Sequence, residues 1–432
     1  MKPDVIIIGA GVAGSSAAIK LAQGGAKVVL IDRAMPIGSK NLSGGVLWGN
    51  DLEEILPNWQ EEAPIERYII NKKVGFLSQE DATVLDMHFN DWNNKPHNGV
   101  SVLRAPFDEW LAGKAEEAGV AVLSGITIDE LIFEKEAIIG VRQGAETLKA
   151  PIVIIAEGAN PRLLLKHGLT YRGEEKRYDY SDMMIGIKEV IQLKRDVMEE
   201  RFLLEDGQGL AGEFILGNIP GDVLSGGFFY TNKDTLSLGV IVHMDSLTSK
   251  DRAYEVIEHF KKHPYIARFI KGGESVEYGA KIIPEFSIKK FPQLYGNGFM
   301  VIGDAAGFVF SNGMLIQGMN YGIKSGILAA ETALEAIKSK SYDAFTLGLY
   351  EKKLKNSYIL KDFKHFSKVK KMTKNPRLFK VYPRAINSGF KEYLTDDGKE
   401  KEHLIKSLRK TFKNEGAGLF TLIKDGLGAR FL

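Results

Sequence analysis

Two glycine-bearing segments, far apart in the chain, have the residue types and spacing to hold a dinucleotide. Val5-Ile6-Ile7-Ile8 runs into Gly9-Ala10-Gly11-Val12-Ala13-Gly14, and Met300-Val301-Ile302 runs into Gly303-Asp304-Ala305-Ala306-Gly307. In the first, Gly9 permits a tight turn, Gly11 lets backbone approach a pyrophosphate, and Gly14, with the small Ala13 before it, lets a helix pack closely on its strand. The helix N-terminus then offers unpaired N–H groups and a positive dipole end to the phosphates. Asp32, at the end of the next strand (Val28–Ile31) and followed by Arg33, can accept hydrogen bonds from an adenosine ribose. A glycine-rich turn in an α/β core without ligand has the same spacing, but here strand, spacing and ribose acid agree.

The second segment decides which dinucleotide. Asp304 can accept from ribityl hydroxyls, and a helix after Gln317-Gly318-Met319-Asn320 can aim its N-terminus at a flavin pyrimidine. A helix dipole there stabilises the negative charge of a reduced flavin. The two motifs together imply FAD. Glu157-Gly158, closing the apolar run Pro151–Ala156, forms a further loop that could approach the dinucleotide or be a plain strand-end turn.

These residues need a sheet that brings both motifs to one edge. The expected fold is α/β: a discontinuous Rossmann-like FAD-binding domain (1–70, 101–175 and 291–345), an inserted antiparallel-sheet substrate domain (71–100 and 176–290) and a basic helical region (346–432). Residues 100–104 read as a strand ending in Arg104, another cofactor-binding candidate, with Pro106 beginning a helix that Gly119 closes. Met183–Val190 reads as a strand, and residues 227–231 and 235–242 flank the hairpin signal Asn232-Lys233-Asp234. A helix capped by Ser249 should follow, with His259 and His263 on the surface. Pro376 and Pro383 should break the helical tail.

At 432 residues, 44% hydrophobic and 26% charged, the chain is long enough for two or three domains with a sizeable core. It contains no cysteine, hence no disulfide, thiolate nucleophile or cysteine-ligated iron–sulfur cluster of its own. The first strand begins so early that no signal peptide is expected, and no apolar run approaches the ~18 residues of a membrane span. Residues 341–432 hold 21 Lys+Arg against 10 Asp+Glu, while the remainder carries a net −9. The tail's basic residues alternate with Phe, Tyr and Leu, a pattern that fits an anionic membrane surface or a partner; a solvated helical face is the plain alternative. Phe363, Phe366, Leu378, Phe379, Phe420 and Phe431 are its apolar candidates, and Lys364, Lys368, Lys370 and Lys371 its charged ones. No nucleic-acid motif accompanies the charge. No second GxGxxG, P-loop, nucleophile elbow or metal-ligand cluster occurs, so catalysis is flavin-centred, with no side chain assigned a catalytic role.

These features resemble the FixC-type branch of the electron-transfer flavoprotein:quinone oxidoreductase family, within the glutathione-reductase-2 flavoprotein class. Besides the two glycine motifs, the likeness rests on Gly38-Ser39-Lys40-Asn41-Leu42-Ser43-Gly44-Gly45, on residues 52–57 and 63–67, on Ile282-Ile283-Pro284-Glu285, and on Asn312, Gly313, Gly318, Met319, Ser325 and Gly326. Lys40, Ser43, Gly44 and Gly45 are expected beside the flavin, where glycine lets backbone N–H groups come close. Tyr278, Gly279, Ile283 and Pro284 are expected on the quinone side. Family members often carry Arg and Asp where this chain has Gln317 and Asn320.

The resemblance implies electron transfer from an electron-transfer flavoprotein of two subunits to a membrane quinone. A small ferredoxin-like partner would hold the iron–sulfur clusters, and the assembly could be an NADH-oxidising, ferredoxin-reducing bifurcating complex. The protein would sit as a monotopic, peripheral subunit on the cytoplasmic face of the cell membrane. Geranylgeranyl reductases share the scaffold, but their Tyr-x-Trp-x-Phe-Pro motif is missing, since all 4 Trp precede residue 111. An FAD-dependent aromatic hydroxylase is a second alternative, which oxygen-dependent turnover of a phenol with NAD(P)H would distinguish, and a mainly structural subunit that retains FAD is a third.

Overall fold

The computed structural model describes residues 2–41, 44–170, 179–221, 223–248 and 252–429. A six-stranded sheet has the order β17-β18-β11-β1-β2-β7, formed by β1 (Val5–Ile8), β2 (Val28–Ile31), β7 (Ala121–Leu123), β11 (Ile152–Ile155), β17 (Tyr295–Gly296) and β18 (Phe299–Val301). Every pairing is parallel except β17 with β18. The continuous apolar runs of β1, β2 and β11 are buried throughout, as a parallel sheet covered on both faces requires. From β1 the strand order departs both ways, to β2 and to β11, which makes the C-terminal end of β1 a topological switch point. One strand, β11, separates the two motif strands β1 and β18.

Helix α1 (Val12–Gln23) packs against α8 (Met319–Ser339), and small residues set their distance. A Cβ at Gly326 would lie 2.3 Å from the carbonyl oxygen of Ala13. Short α2 (Trp59–Glu62) buries Trp59 edge-on against Phe107 of α3 (Arg104–Glu117). A three-stranded sheet, β8 (Glu130–Glu134), β9 (Ala137–Gln143) and β10 (Glu146–Lys149), precedes β11, and α4 (Arg162–Lys166) follows it.

The second sheet has nine strands. Its path is β16-β12-β15-β14-β13-β4-β6-β3, with β5 paired to β4, and its strands are β3 (Gly44–Trp48), β4 (Ile65–Leu77), β5 (Ala82–His88), β6 (Gly99–Leu103), β12 (Met183–Gln192), β13 (Gln208–Leu216), β14 (Ser225–Thr231), β15 (Thr235–His243) and β16 (Glu274–Pro284). It differs from the expected purely antiparallel sheet, because β13 runs parallel to β4. It also recruits residues 44–48 and 101–103, which the sequence assigns to the dinucleotide half.

Alternation along these strands gives two unlike faces. One face, including Ile187, Leu238, Phe214 and Phe229, packs under α5 (Arg195–Phe202), α6 (Ala253–Lys262) and α7 (Pro264–Ile270). The other carries Trp48, Lys72, Glu213, Phe228 and Tyr230. Here Lys72 Nζ donates to Glu213 at 2.5 Å and lies 5.0 Å from the centre of the Trp48 ring. Buried Arg67 ties the far end of the sheet together, its guanidinium donating to the carbonyls of Asn232, Gln208 and Lys233 and to Glu199.

Local expectations are corrected in two places. Arg104 opens helix α3 instead of ending a strand, and Pro106 sits in its first turn. His263 is buried, not on the surface: Nδ1 accepts from the Tyr265 N–H at 3.2 Å, Nε2 lies 3.0 Å from the Ser78 carbonyl, and burial pushes the imidazole down. His259 is exposed, and Ser249 lies outside the described residues. Pro376 and Pro383 break the helical tail as expected, each lying in the first turn of a new helix, α13 (Pro376–Lys380) and α14 (Tyr382–Leu394), where no intrahelical donor is lost.

The tail also holds α9 (Ala344–Leu347), α10 (Leu349–Asn356), α11 (Tyr358–His365), α12 (Val369–Thr373), α15 (Leu404–Asn414) and α16 (Leu419–Ala429). Several of its proposed surface anchors are internal. Phe363 packs among Phe291, Phe308 and Phe310, Phe366 against Phe310, and Phe379 is buried. Lys370 donates to Asp182 and to the Glu285 carbonyl, each at 2.7 Å, so it docks α12 on the second sheet. Leu378 is half-buried, Lys364, Lys368 and Lys371 are exposed, and Phe431 lies outside the described residues. No helix among the described residues is long and apolar enough to cross a membrane.

Candidate functional site

The loop between β1 and α1 separates structural glycines from one with another purpose. Gly9 has φ +106, and a Cβ on it would stand 2.2 Å from the Ala156 carbonyl oxygen; a Cβ on Gly14 would stand 1.8 Å from the Gly9 oxygen. Both are required by the chain itself. Gly11, at φ −74 and ψ −178, has a backbone any residue adopts, and the nearest atom to its Cβ position is an Arg104 guanidinium nitrogen at 3.8 Å. The chain alone gives no reason for glycine there; a pyrophosphate approaching the α1 N-terminus does. Asp32 braces this loop, one carboxylate oxygen accepting from the Ala10 N–H and the other from the Ala34 N–H, each at 2.7 Å. Each oxygen retains a lone pair for a ribose hydroxyl.

From Arg104 a chain of polar contacts crosses to the second sheet. Its guanidinium grips Asp108 through Nε (3.0 Å) and a terminal nitrogen (2.8 Å). The Asn41 amide also donates to Asp108, and Lys281 Nζ donates to the Asn41 Oδ1 at 2.6 Å. The Lys-Asn segment thus links the Rossmann helix α3 to edge strand β16. Beyond it, a Cβ on Gly44 would stand 2.1 Å from the Val102 oxygen, and one on Gly45 would stand 2.9 Å from the Met319 Cε. The Gly44 carbonyl accepts from Lys188 Nζ at 3.0 Å and from the Tyr230 hydroxyl.

Asp304 and the start of α8 close the site. A Cβ at Gly318, the residue before α8, would lie 3.4 Å from the Asp304 Oδ1, and the Gly303 N–H donates to Ser325 of α8 at 3.0 Å. Burial pushes the Asp304 carboxyl up, against the pull of Arg104 and Lys281. Lys188 and Lys281 are both pushed down to about 8, by burial first and then by Arg104. Asn320 donates to the Gln317 amide oxygen at 3.0 Å, so this neutral pair is joined by a hydrogen bond.

Other candidates are placed differently. Arg33 and Lys40 are exposed, and Lys40 Nζ donates to the Arg33 carbonyl at 3.1 Å. Glu157 turns away to cap α4, accepting from the Leu163 and Leu164 N–H groups, while Gly158 has φ +81 with open space around it. Ser43 lies outside the described residues. On β16, Gly279 and Ile283 share the face of Lys281. Tyr278 and Pro284 have the opposite parity, and Tyr278 faces Glu189, Glu258 and Lys261 beside α6, which removes it from the cleft.

Residues 3–195 match the family model for pyridine nucleotide-disulphide oxidoreductases, residues 183–283 that described as ETF-QO, ubiquinone-binding, and residues 368–430 the ETF-QO/FixC family C-terminal domain. The chain is 37% identical over 425 residues to Protein FixC of Escherichia coli K12, covering 98% of this chain and 97% of that protein. It is 36% identical over 428 residues to the probable electron transfer flavoprotein-quinone oxidoreductase YdiS of the same strain, covering 99% and 98%. The chain belongs to the ETF-QO/FixC family. It is therefore an FAD-dependent oxidoreductase. Among solved structures, a geranylgeranyl bacteriochlorophyll reductase-like protein from Thermoplasma acidophilum superposes with TM-score 0.71 at 19% identity, covering 98% of this chain and 99% of that one. The flavin-dependent brominase Bmp2 gives 0.65 at 17%, covering 99% and 98%. Both likenesses are of fold alone.

In this ETF-QO/FixC chain, sequence reasoning missed Lys188, Tyr230 and Asp108 as members of the candidate site. Asp108 carried a signal, since it lies four positions after Arg104 on a helix, the spacing of a side-chain pair. Lys188 carried one too: it interrupts an apolar strand, Met183–Ile191, and so had to find a polar partner.

Proposed function

We propose that this chain is the quinone-reducing subunit of an electron-transfer assembly, taking electrons from a two-subunit electron-transfer flavoprotein. The observation that carries this reading is the position of the segment matched as ubiquinone-binding. Residues 183–283 run from β12 to β16, and their inner face reaches Gly44 through Lys188 and Asn41 through Lys281. The acceptor wall and the cofactor cradle are thus one connected structure.

Gly11 and the α1 N-terminus would receive the pyrophosphate, with Arg104 alongside; Asp32 would hold the adenosine ribose and Asp304 the ribityl chain. Gly44, Gly45, Met319 and Asn320 would border the ring. FAD, when bound, supplies storage of two electrons that leave singly or together. The protein's own part is to hold the ring against a wall bearing Lys188 and Lys281, whose charge favours electron-rich states of cofactor and acceptor.

The tail supports a peripheral position on the cytoplasmic face of the cell membrane, through Phe420 among the apolar residues first considered and through its neighbours Leu419 and Ile423. Leu419, Phe420 and Ile423 of α16 are 53%, 91% and 53% exposed, and α15 carries Lys406, Arg409, Lys410 and Lys413. Apolar side chains beside cations suit an anionic bilayer surface, from which a quinone headgroup can be reached. A ferredoxin-like iron–sulfur partner, and a bifurcating complex that oxidises NADH, belong to the same proposal.

The test is anaerobic. FAD-loaded protein is mixed with reduced electron-transfer flavoprotein and a short-chain quinone, and quinol formation is followed. Quinol that appears only when this protein is present supports the reading; turnover requiring oxygen, or no quinol at all, refutes it.

A further inference from the structure

We propose that Lys188 is the proton donor to the quinone oxygen in the acceptor reaction; the inference rests on the quinone reading above. Lys188 lies within the segment matched as ubiquinone-binding, in the middle of β12. Its cross-strand neighbours are Gly279 on β16 and Gly239 on β15, and Gly186 stands two residues earlier on the same face. Two of these glycines are covered by neighbouring side chains, Ile283 over Gly186 and Phe228 over Gly239, where a Cβ would meet them at 2.9 and 2.5 Å, so glycine is what lets these side chains lie close beside Lys188. Lys188 Nζ is 5.5 Å from the centre of the Phe228 ring. At its far end Nζ donates to the Gly44 carbonyl at 3.0 Å, on the strand that also carries Gly45 against Met319. Its ammonium therefore stands between the cofactor cradle and the acceptor strand.

The neighbouring cations are otherwise engaged. Arg104 is held by Asp108 in a two-point contact, and a guanidinium does not release its proton. Lys281 donates to Asn41. The titratable and charged groups facing Lys188 are Arg104 from α3, Lys281 and Glu277 from β16, and Tyr230 from β14. Burial, then the two cations, push Lys188 down to about 8, so at neutral pH the ammonium form predominates and yields its proton far more readily than an ordinary lysine.

The step balances. A quinone needs two electrons and two protons to become a quinol. Reduced FAD, when bound, would supply the two electrons and one proton, and the second proton would come from Lys188: one N–H bond breaks, one O–H bond forms at the quinone oxygen, and the neutral amine is reprotonated from solvent.

The experiment compares two acceptors. Full-length FAD-loaded protein, photoreduced without oxygen, is mixed with a short-chain quinone or with ferricenium, which takes one electron and no proton. Lys188→Met should lower the quinone-to-ferricenium rate ratio by about 100-fold or more, the scale of general acid catalysis. Lys188→Arg, which keeps charge and bulk without a transferable proton, should lower it similarly, and in the unmodified protein the ratio should fall as pH rises through about 8. In FAD-free protein, competitive acetylation read by mass spectrometry should give Lys188 half-reaction near pH 8. A ratio within about threefold of the unmodified protein in either variant overturns the proposal, as does half-reaction near the ordinary lysine value of about 10.4. An unmodified protein that reduces ferricenium but not quinone overturns the quinone reading itself, and the proposal with it.

Discussion

Substituting Gly11 separates what the fold requires from what the cofactor requires. Gly11 lies in extended backbone that valine adopts freely, and a Cβ there meets nothing closer than an Arg104 nitrogen at 3.8 Å. Gly11→Val should therefore leave the stability of the FAD-free protein within about 0.5 kcal/mol of the original, the range of substitutions that touch nothing. Gly14→Ala should not, because its Cβ would stand 1.8 Å from the Gly9 carbonyl oxygen and backbone must move. In the FAD-bound state the order reverses for Gly11. The valine side chain occupies the path of the pyrophosphate to the α1 N–H groups, and losing one or two charge-assisted hydrogen bonds costs about 2 to 4 kcal/mol. That corresponds to roughly thirty- to a thousandfold in Kd. The assay pairs urea unfolding of FAD-free protein with a fluorescence titration of FAD. A Gly11→Val protein that binds FAD as tightly as the original would refute the assignment, and one that unfolds much more easily would refute the separation.

Three further predictions concern the frame around the site. Arg67→Met removes the guanidinium from three buried carbonyls and leaves Glu199 only its contact with Arg195, and should lower stability by about 3 to 5 kcal/mol in urea unfolding; a loss below about 1 kcal/mol would contradict the geometry. Asp425 accepts from Arg377 at 2.8 and 2.6 Å and is held down to about 2, chiefly by that contact, so the stability it lends α16 is complete above its ordinary value of about 4 and is lost as pH falls towards 2. Asp425→Asn should accordingly speed hydrogen exchange of the α16 amides roughly tenfold at neutral pH, and unchanged exchange would count against it. Replacing Leu419, Phe420 and Ile423 together by Ser should reduce co-sedimentation with anionic liposomes at least about tenfold, since each apolar side chain contributes on the order of 1 kcal/mol or more when buried; equal binding would assign attachment elsewhere.

Sequence alone determined the elements whose signal is local. Val5–Ile8 reads as a strand because four apolar residues precede a glycine turn, and the FAD assignment follows from two short motifs whose residues act through backbone geometry. The family was legible for the same reason, since its motifs are contiguous. Tertiary structure decided what depends on face and partner. Tyr278 and Lys281 stand three residues apart on one strand, and the two-residue period turns only Lys281 to the cleft. Phe363 and Phe420 look alike in an amphipathic tail, yet one fills the core and the other is 91% exposed, a choice made by which helix face meets the sheets. Lys370 and Lys371 are neighbours of equal charge, and only Lys370 finds Asp182 within reach. The site itself joins Gly44 to Lys188 and Asn41 to Lys281 across long stretches of chain. No spacing rule connects such residues, because strand register and helix packing are set by the burial of hundreds of atoms at once.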